Sequence, residues 1–206
     1  MGAHEIFLDN KFKQVSKLIP KGSKVLDIGC NNGKLRNFLD NCDYYGVDVD
    51  IELIKGLTKK GIKAKKADLN KDEIPFKNKK FDYILLLDII EHVIDSKELL
   101  NQVKKRLNTK GKVIVTLPND YHILNKIRFV FNKHLTEDPF TPYGHLHFFP
   151  IKSGERFLLQ NNFKILKKIL LPPIKPLIIP QFIKNLLARL FPQSFARDIL
   201  YMLSSS

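Results

Sequence analysis

The sequence predicts an α/β protein built on a doubly wound, mostly parallel sheet, with a lid insertion and an amphipathic C-terminal tail. Three observations carry this. Residues 24–35, KVLDIGCNNGKL, read as a short buried strand, a glycine turn and the start of a helix. A glycine turn there lets a ligand approach the backbone, because no Cβ stands in the way. Strand-like apolar runs then alternate with helical patterns, which implies parallel strands joined by right-handed crossovers. Finally, FDYILLL at 81–87 is apolar enough to be buried on both faces, as an inner parallel strand must be.

The elements follow in order. Phe12, Val15, Leu18 and Ile19 have helical spacing, giving a leading helix over 10–19 that Pro20-Lys21-Gly22 ends. The strand at 24–28 precedes a helix with Leu35, Phe38 and Leu39 on one face, stopping near Asn41. A strand at 44–48 is followed by a helix at 51–60, where Lys59 and Lys60 favour the C-terminal end of the dipole. Strands are expected at 62–66, 81–87 and 112–117, with a helix at 96–107 before the last of these. The expected division is a core over 1–169, carrying a lid at about 120–144, and an extension over 170–206.

Composition narrows the classes. The 206 residues suffice for one domain with a sizeable core, and 44% apolar with 27% charged residues is ordinary for a globular chain. Cys30 and Cys42 are too few for a disulfide framework or a structural zinc site, so a reducing cytoplasm is expected. The charged N-terminal stretch carries no signal pattern, MGAHEI lacks the Ser/Thr of a myristoylation signal, and no apolar run is long enough to span a bilayer. The net charge of +14 points either to an anionic partner surface or to a lysine-rich solvated exterior. Lysines 63, 65, 66, 77, 79 and 80 are scattered around loops instead of forming one stripe, which supports the solvated exterior.

The glycine loop also identifies a ligand class. Asp27 ends the first strand, where the open edge of a parallel sheet receives ligands, and Asp48 follows Gly29 by 19 residues, placed for ribose hydroxyls. A dinucleotide loop needs G-x-G-x-x-G to seat a pyrophosphate. Here the pattern is D-x-G-x-N-x-G, and carboxylates around a loop suit a cofactor with a cationic amino-acid end. Asn31 stands at the centre, a residue type that tolerates left-handed backbone.

This loop resembles the first motif of class I S-adenosylmethionine (SAM) methyltransferases, small-molecule type, similar to the ubiquinone and methionine-biosynthesis group. Further matches are ADL at 67–69 with Ile74-Pro75-Phe76 after it, LDIIEHV at 87–93, TLPN at 116–119, and the closing segment at 145–166. The resemblance covers about three quarters of the chain and implies a Rossmann-like methyltransferase with SAM as cofactor. It implies that the backbone around Gly29 and Gly33 holds the methionine portion, with Cys30 and Asn31 in the same loop. Asp27 would orient the ammonium, Asp48 the ribose, and Asp68 the adenine amino group; Val49 and Leu69 line the adenine faces and Leu87 closes the set.

Asp88, Glu91 and His92 fall at i, i+3 and i+4, one face if 88–92 is helical, with His145 or His147 arriving from the later segment. Two carboxylates and two imidazoles can bind a divalent metal, and a similar acid-x-x-Glu-His pattern with a later His is used by small-RNA 2′-O-methyltransferases. The expectation is instead that Glu91-His92 steadies the loop and that no metal binds. His92 or His145 would act as general base, since an imidazole titrates near working pH.

The lid carries an amphipathic run (Ile123, Leu124, Ile127, Phe131) and a loop with Pro139, Pro142 and Tyr143. In the tail, LLPPIKPLIIP cannot be helical throughout, while Ile183, Leu186, Leu187, Leu190 and Phe191 have helical spacing among basic residues. That face suits peripheral contact with an anionic membrane through 181–203, or packing on the core or a second copy in a homodimer. The expected activity is methyl transfer to an oxygen or nitrogen of a small or lipid-linked acceptor. RNA methylation and a non-catalytic SAM-binding scaffold are the alternatives, nucleic acid ranking below a small acceptor.

Overall fold

Along the strand at Lys24–Ile28 (β1), Val25 faces one apolar cluster while Leu26 and Ile28 face another, as the two-residue period of a strand requires. A strand buried on both faces needs helices on both sides of its sheet. The computed structural model describes residues 2–132, 144–173 and 179–205. The other strands are β2 (Asp43–Asp48), β3 (Lys63–Lys66), β4 (Phe81–Leu87), β5 (Leu107–Pro118), β6 (Phe163–Leu171) and β7 (Asp198–Ser205). Their order is β3-β2-β1-β4-β5-β7-β6; β1 to β5 are parallel, and β7 is antiparallel to both of its neighbours.

Helices α1 (Ala3–Ser16) and α2 (Ile51–Lys59) pack Phe7, Val15, Ile54 and Leu57 with Val25, Leu85 and Ile114. On the other face α3 (Ser96–Arg106) and α5 (Ile151–Gln160) pack Leu100, Val103 and Leu158 with Leu26, Ile84 and Val113. Asp50 caps α2 by accepting from Glu52 and Leu53 N–H, and Asp95 caps α3 through Glu98 N–H. The order reverses between β1 and β4, so the crevice at their C-terminal ends is the ligand site of this topology.

Three expectations are corrected. The leading helix starts at Ala3 and ends at Ser16, because Phe7, Lys11 and Val15, four residues apart, form its buried line. The element after β1 is a 3-10 turn (Lys34–Phe38), not a helix reaching Asn41. β5 begins at Leu107, which pairs with Phe81 ahead of a register shift.

The largest correction concerns the tail. The boundary at 169/170 cuts β6, and β7 lies inside the sheet between β5 and β6, with Ile199, Leu200, Tyr201 and Leu203 buried. Residues 198–203 therefore cannot lie on a membrane. Between these strands come α6 (Gln181–Leu190) and α7 (Pro192–Phe195). α6 buries Lys184 and Ala188, whereas Phe182, Leu186 and Leu190 are exposed. Thus Lys184, expected as a basic flank, points into the protein.

Of the lid, residues 120–132 are described and include α4 (Ile123–Val130); Pro139, Pro142 and Tyr143 lie outside the described residues, as do Lys175 and Pro176 of the tail. Among the described residues no helix is long and apolar enough to cross a membrane.

Candidate active site

A cavity of about 720 Å³ opens at the C-terminal ends of β1, β2 and β4. Of the residues expected to hold a cofactor, Gly29, Asn31, Asp48, Val49, Asp68, Leu69 and Leu87 line it, together with His92. The loop's backbone explains why. Gly29 has φ +77°, and a Cβ there would fall 2.0 Å from the Ile89 side chain. Gly33 is also left-handed at φ +71°, with Leu57 against it, and Asn31 takes φ +48°. The loop thus turns on two glycines and an asparagine.

Asp48 fixes this loop directly. Its Oδ2 accepts from Asn31 N–H at 2.7 Å and its Oδ1 from Asp50 N–H at 3.0 Å. Asp68 accepts from Asn70 N–H at 3.1 Å and faces Lys71, and these partners hold its carboxyl below the usual range. It is therefore an ionised acceptor, the form that can receive an amino group.

Asp27, Cys30 and Gly33 do not line the cavity. Asp27 is buried beneath the loop and accepts from Tyr44 Oη at 2.6 Å. Burial pushes its carboxyl up to about 6 despite the Tyr44 hydrogen bond, with Asp48 adding to the rise. Cys30 is buried against Gly46, and burial pushes its thiol up, which keeps it unreactive.

The expected shared face of Asp88, Glu91 and His92 is not formed. Only Ile90–His92 is helical, as a 3-10 turn, and Asp88 sits before it at φ +55°. Asp88 lines the cavity, but its carboxylate is held by Lys11 and by Thr116 Oγ1, the latter donating at 2.6 Å. Lys11 also contacts Asp198 Oδ2 at 2.6 Å, so one buried ammonium joins α1, the end of β4 and the start of β7. Burial pulls the Lys11 pKa down, but the two carboxylates more than offset it and hold the group charged. Asp198 is raised by burial, only partly countered by Lys11.

Glu91 has no exposed surface, and neither carboxylate oxygen has a hydrogen-bond partner among the described residues. Burial, reinforced by nearby Asp88, pushes its carboxyl well above the usual range. Its backbone carbonyl accepts from Leu146 N–H at 2.7 Å and His147 N–H at 3.1 Å, docking the 144–149 segment over the 3-10 turn. This brings His145 against His92, ring centroids 4.9 Å apart. His145 is buried and does not line the cavity, whereas Gly144 and Leu146 beside it do.

Sequence reasoning missed three residues here. Lys11 lies in the expected leading helix and Asp198 in the tail stretch expected to make membrane or subunit contact, and neither stood out as a buried charge; Asp120 was counted only as the start of the lid. Asp120 accepts from Phe149 N–H at 2.9 Å and faces His145 Nδ1 at 3.3 Å. An acid directly after the TLPN strand end was the available signal.

Comparison with known proteins bears on the family and the fold. An uncharacterized Methanocaldococcus jannaschii protein, MJ0638, is 29% identical over 172 residues, covering 79% of this chain and 73% of that protein. The tRNA U34 carboxymethyltransferase of Nautilia profundicola is 27% identical, over 54% of this chain and 42% of its own. Among solved structures, a SAM-dependent methyltransferase from Archaeoglobus fulgidus superposes with a TM-score of 0.66 at 17% identity, over 98% of this chain and 94% of the other. The model of the family described as methionine biosynthesis protein MetW matches residues 9–191, so the chain belongs to the MetW family, on the fold of the class I SAM-dependent methyltransferases.

Proposed function

We propose that the protein binds SAM in the cavity over β1, β2 and β4 and methylates an oxygen or nitrogen of a small or lipid-linked acceptor. The observation that carries this is one cavity uniting a left-handed glycine loop, the Asp48 carboxylate and the ionised Asp68 at successive strand ends. The residues present fit the cofactor: Gly29 and Asn31 bring left-handed backbone to the cavity wall, and both acids are acceptors for hydroxyl or amino donors.

Bound SAM would supply an electrophilic methyl on a sulfonium, a good leaving group. The chain's task is then alignment, and positioning of this kind can supply roughly 7–11 kcal/mol. Asp48 holds Asn31 N–H and thereby the loop, with carboxylate lone pairs left for a ribose. Val49 and Leu69 offer apolar walls, and Asp68 stands beside them. His92 reaches the cavity with Nδ1 3.1 Å from Gly144 O, so its Nε2 is free to take a proton from an acceptor hydroxyl or amine.

An apolar or lipid-linked acceptor is favoured by the surface beside the opening. α4 follows the C-terminal end of β5 and α6 precedes the start of β7, which pair as Pro118 with Asp198 at that same sheet edge. These helices expose Phe129, Val130, Phe131, Phe182, Leu186 and Leu190. Mass spectrometry of cell extract incubated with isotopically labelled SAM, with and without the protein, tests the reading. Label in a lipid or small-molecule fraction supports it. Label in RNA selects the second reading, favoured by the tRNA-modifying relative and the +14 charge. SAM binding with no labelled product leaves a scaffold role.

A further inference from the structure

We infer that Glu91, His92 and His145 form a binding site for one divalent first-row transition metal ion beside the cavity. The sequence favoured a metal-free role for the Glu91-His92 pair; the side chains argue otherwise. One ligand atom from each residue can be chosen so that all three lie within 4.8 Å of one another. Ligands about 2.1 Å from a common ion stand about 3–3.5 Å apart, so side-chain movements of under about 1 Å close the set.

The Glu91 carboxylate supplies an independent argument. It is fully buried, and both oxygens lack a partner among the described residues. Among the described residues it has no donor when ionised, and its O–H has no acceptor when protonated. A buried polar group left this way is costly in either state, and a cation between it and the two imidazoles satisfies it.

The histidines are already oriented as ligands. His92 Nδ1 faces the Gly144 carbonyl at 3.1 Å, and His145 Nδ1 faces Asp120 Oδ1 at 3.3 Å. An oxygen acceptor on each Nδ1–H fixes the tautomer that leaves Nε2 unprotonated, and Asp120 is itself held by Phe149 N–H at 2.9 Å. A carboxylate or carbonyl behind each ligating histidine is the arrangement that tunes metal sites. Two imidazoles and one carboxylate select zinc, manganese, iron or cobalt over magnesium and leave coordination positions open. Asp88 is not a ligand, because Lys11 and Thr116 hold it.

The role assigned to the ion rests on the methyltransferase reading: with His92 Nε2 coordinated, the ion would take over from the imidazole as activator, acting as a Lewis acid on an acceptor oxygen entering past His92, and His92 is a general base only in the metal-free protein. The site itself does not rest on that reading. Cobalt(II) chloride titrated into chelator-stripped full chain should give one saturating equivalent with visible d–d absorption. Glu91→Gln and His145→Ala should each weaken binding at least about tenfold, with melting temperature and S-adenosylhomocysteine affinity measured as controls on the fold. His145→Cys should restore binding and add a thiolate-to-cobalt charge-transfer band absent from wild type, which no structural role for His145 would produce. Absence of saturable cobalt binding in wild type, or unchanged affinity in folded Glu91→Gln and His145→Ala, overturns the site. Cobalt binding without SAM binding sinks the methyltransferase reading and leaves the metal site standing; the reverse result does the opposite.

Discussion

Lys11 Nζ lies 2.6 Å from Asp198 Oδ2, so a lysine of the first helix is the counter-ion of an acid in the seventh strand. The same ammonium holds Asp88 at the cavity wall, which couples the sheet's assembly to the shape of the site. Removing one partner of a buried ion pair is far more damaging than never having had it, because uncompensated charge stays behind. Lys11→Met should therefore lose roughly 3–5 kcal/mol in urea unfolding. Adding Asp198→Asn to Lys11→Met should recover part of that loss. A Lys11→Met protein as stable as wild type would show that the triad is solvated.

Asp27 predicts a pH dependence. Its folded pKa of about 6 lies above the ordinary 3.8. The native state therefore binds more protons than the unfolded state between these values, and stability falls as pH rises through that window. The loss is complete above about pH 6 and amounts to on the order of 3 kcal/mol. Asp27→Asn keeps the Tyr44 hydrogen bond, so it should match wild type near pH 4 and exceed its stability at pH 7.5. Equal differences at both pH values, measured by urea unfolding, would refute the assignment.

For Asp48 the expectation is loss of cofactor affinity. It orders the loop through Asn31 N–H, and a ribose would be its second partner. Asp48→Ala should weaken SAM binding by about 1.5–3 kcal/mol in calorimetry, the range for a charge-assisted hydrogen bond. Wild-type affinity in a folded variant would remove Asp48 from the site. Binding of NAD in place of SAM would overturn the cofactor assignment.

Surface contact is tested on α6, because cutting the chain after Pro172 would delete a sheet strand. The full chain should co-sediment with anionic vesicles, more weakly with neutral ones, and less as salt rises. Phe182→Asp with Leu186→Asp, both at exposed positions, should abolish this while leaving the melting temperature within a few degrees. Dimer dissociation by the same pair, without any vesicle binding, would assign those residues to a second copy.

The sheet's first half was legible because its signals are local. Val25, Leu26 and Ile28, the 81–87 run and the glycine loop each announce themselves within a few residues. β7 was missed although ILYML at 199–203 is as continuously apolar as β4, because the prolines and the amphipathic run before it dominated the reading of the tail. Lys11 was illegible for a different reason. Its partners stand 77 and 187 positions away, so no window of sequence shows that a helix lysine is buried. Glu91 combines the two cases: the Glu-His pair was visible, but that its buried carboxylate finds no hydrogen-bond partner among the described residues is a property of the folded chain.

The place of β7 also orders events during synthesis. Among the described residues β6 joins the sheet only through β7, and β5 has that same strand as its outer neighbour. Until residues 198–205 have emerged from the ribosome, the apolar edge of β5 and all of β6 lack backbone partners, a state that invites pairing with another nascent chain. β1 to β5 can assemble earlier, since each already has a neighbour made before residue 118. Slow translation between β6 and β7 would therefore lengthen the aggregation-prone interval, and a chaperone that shields strand edges would act on this protein in that window.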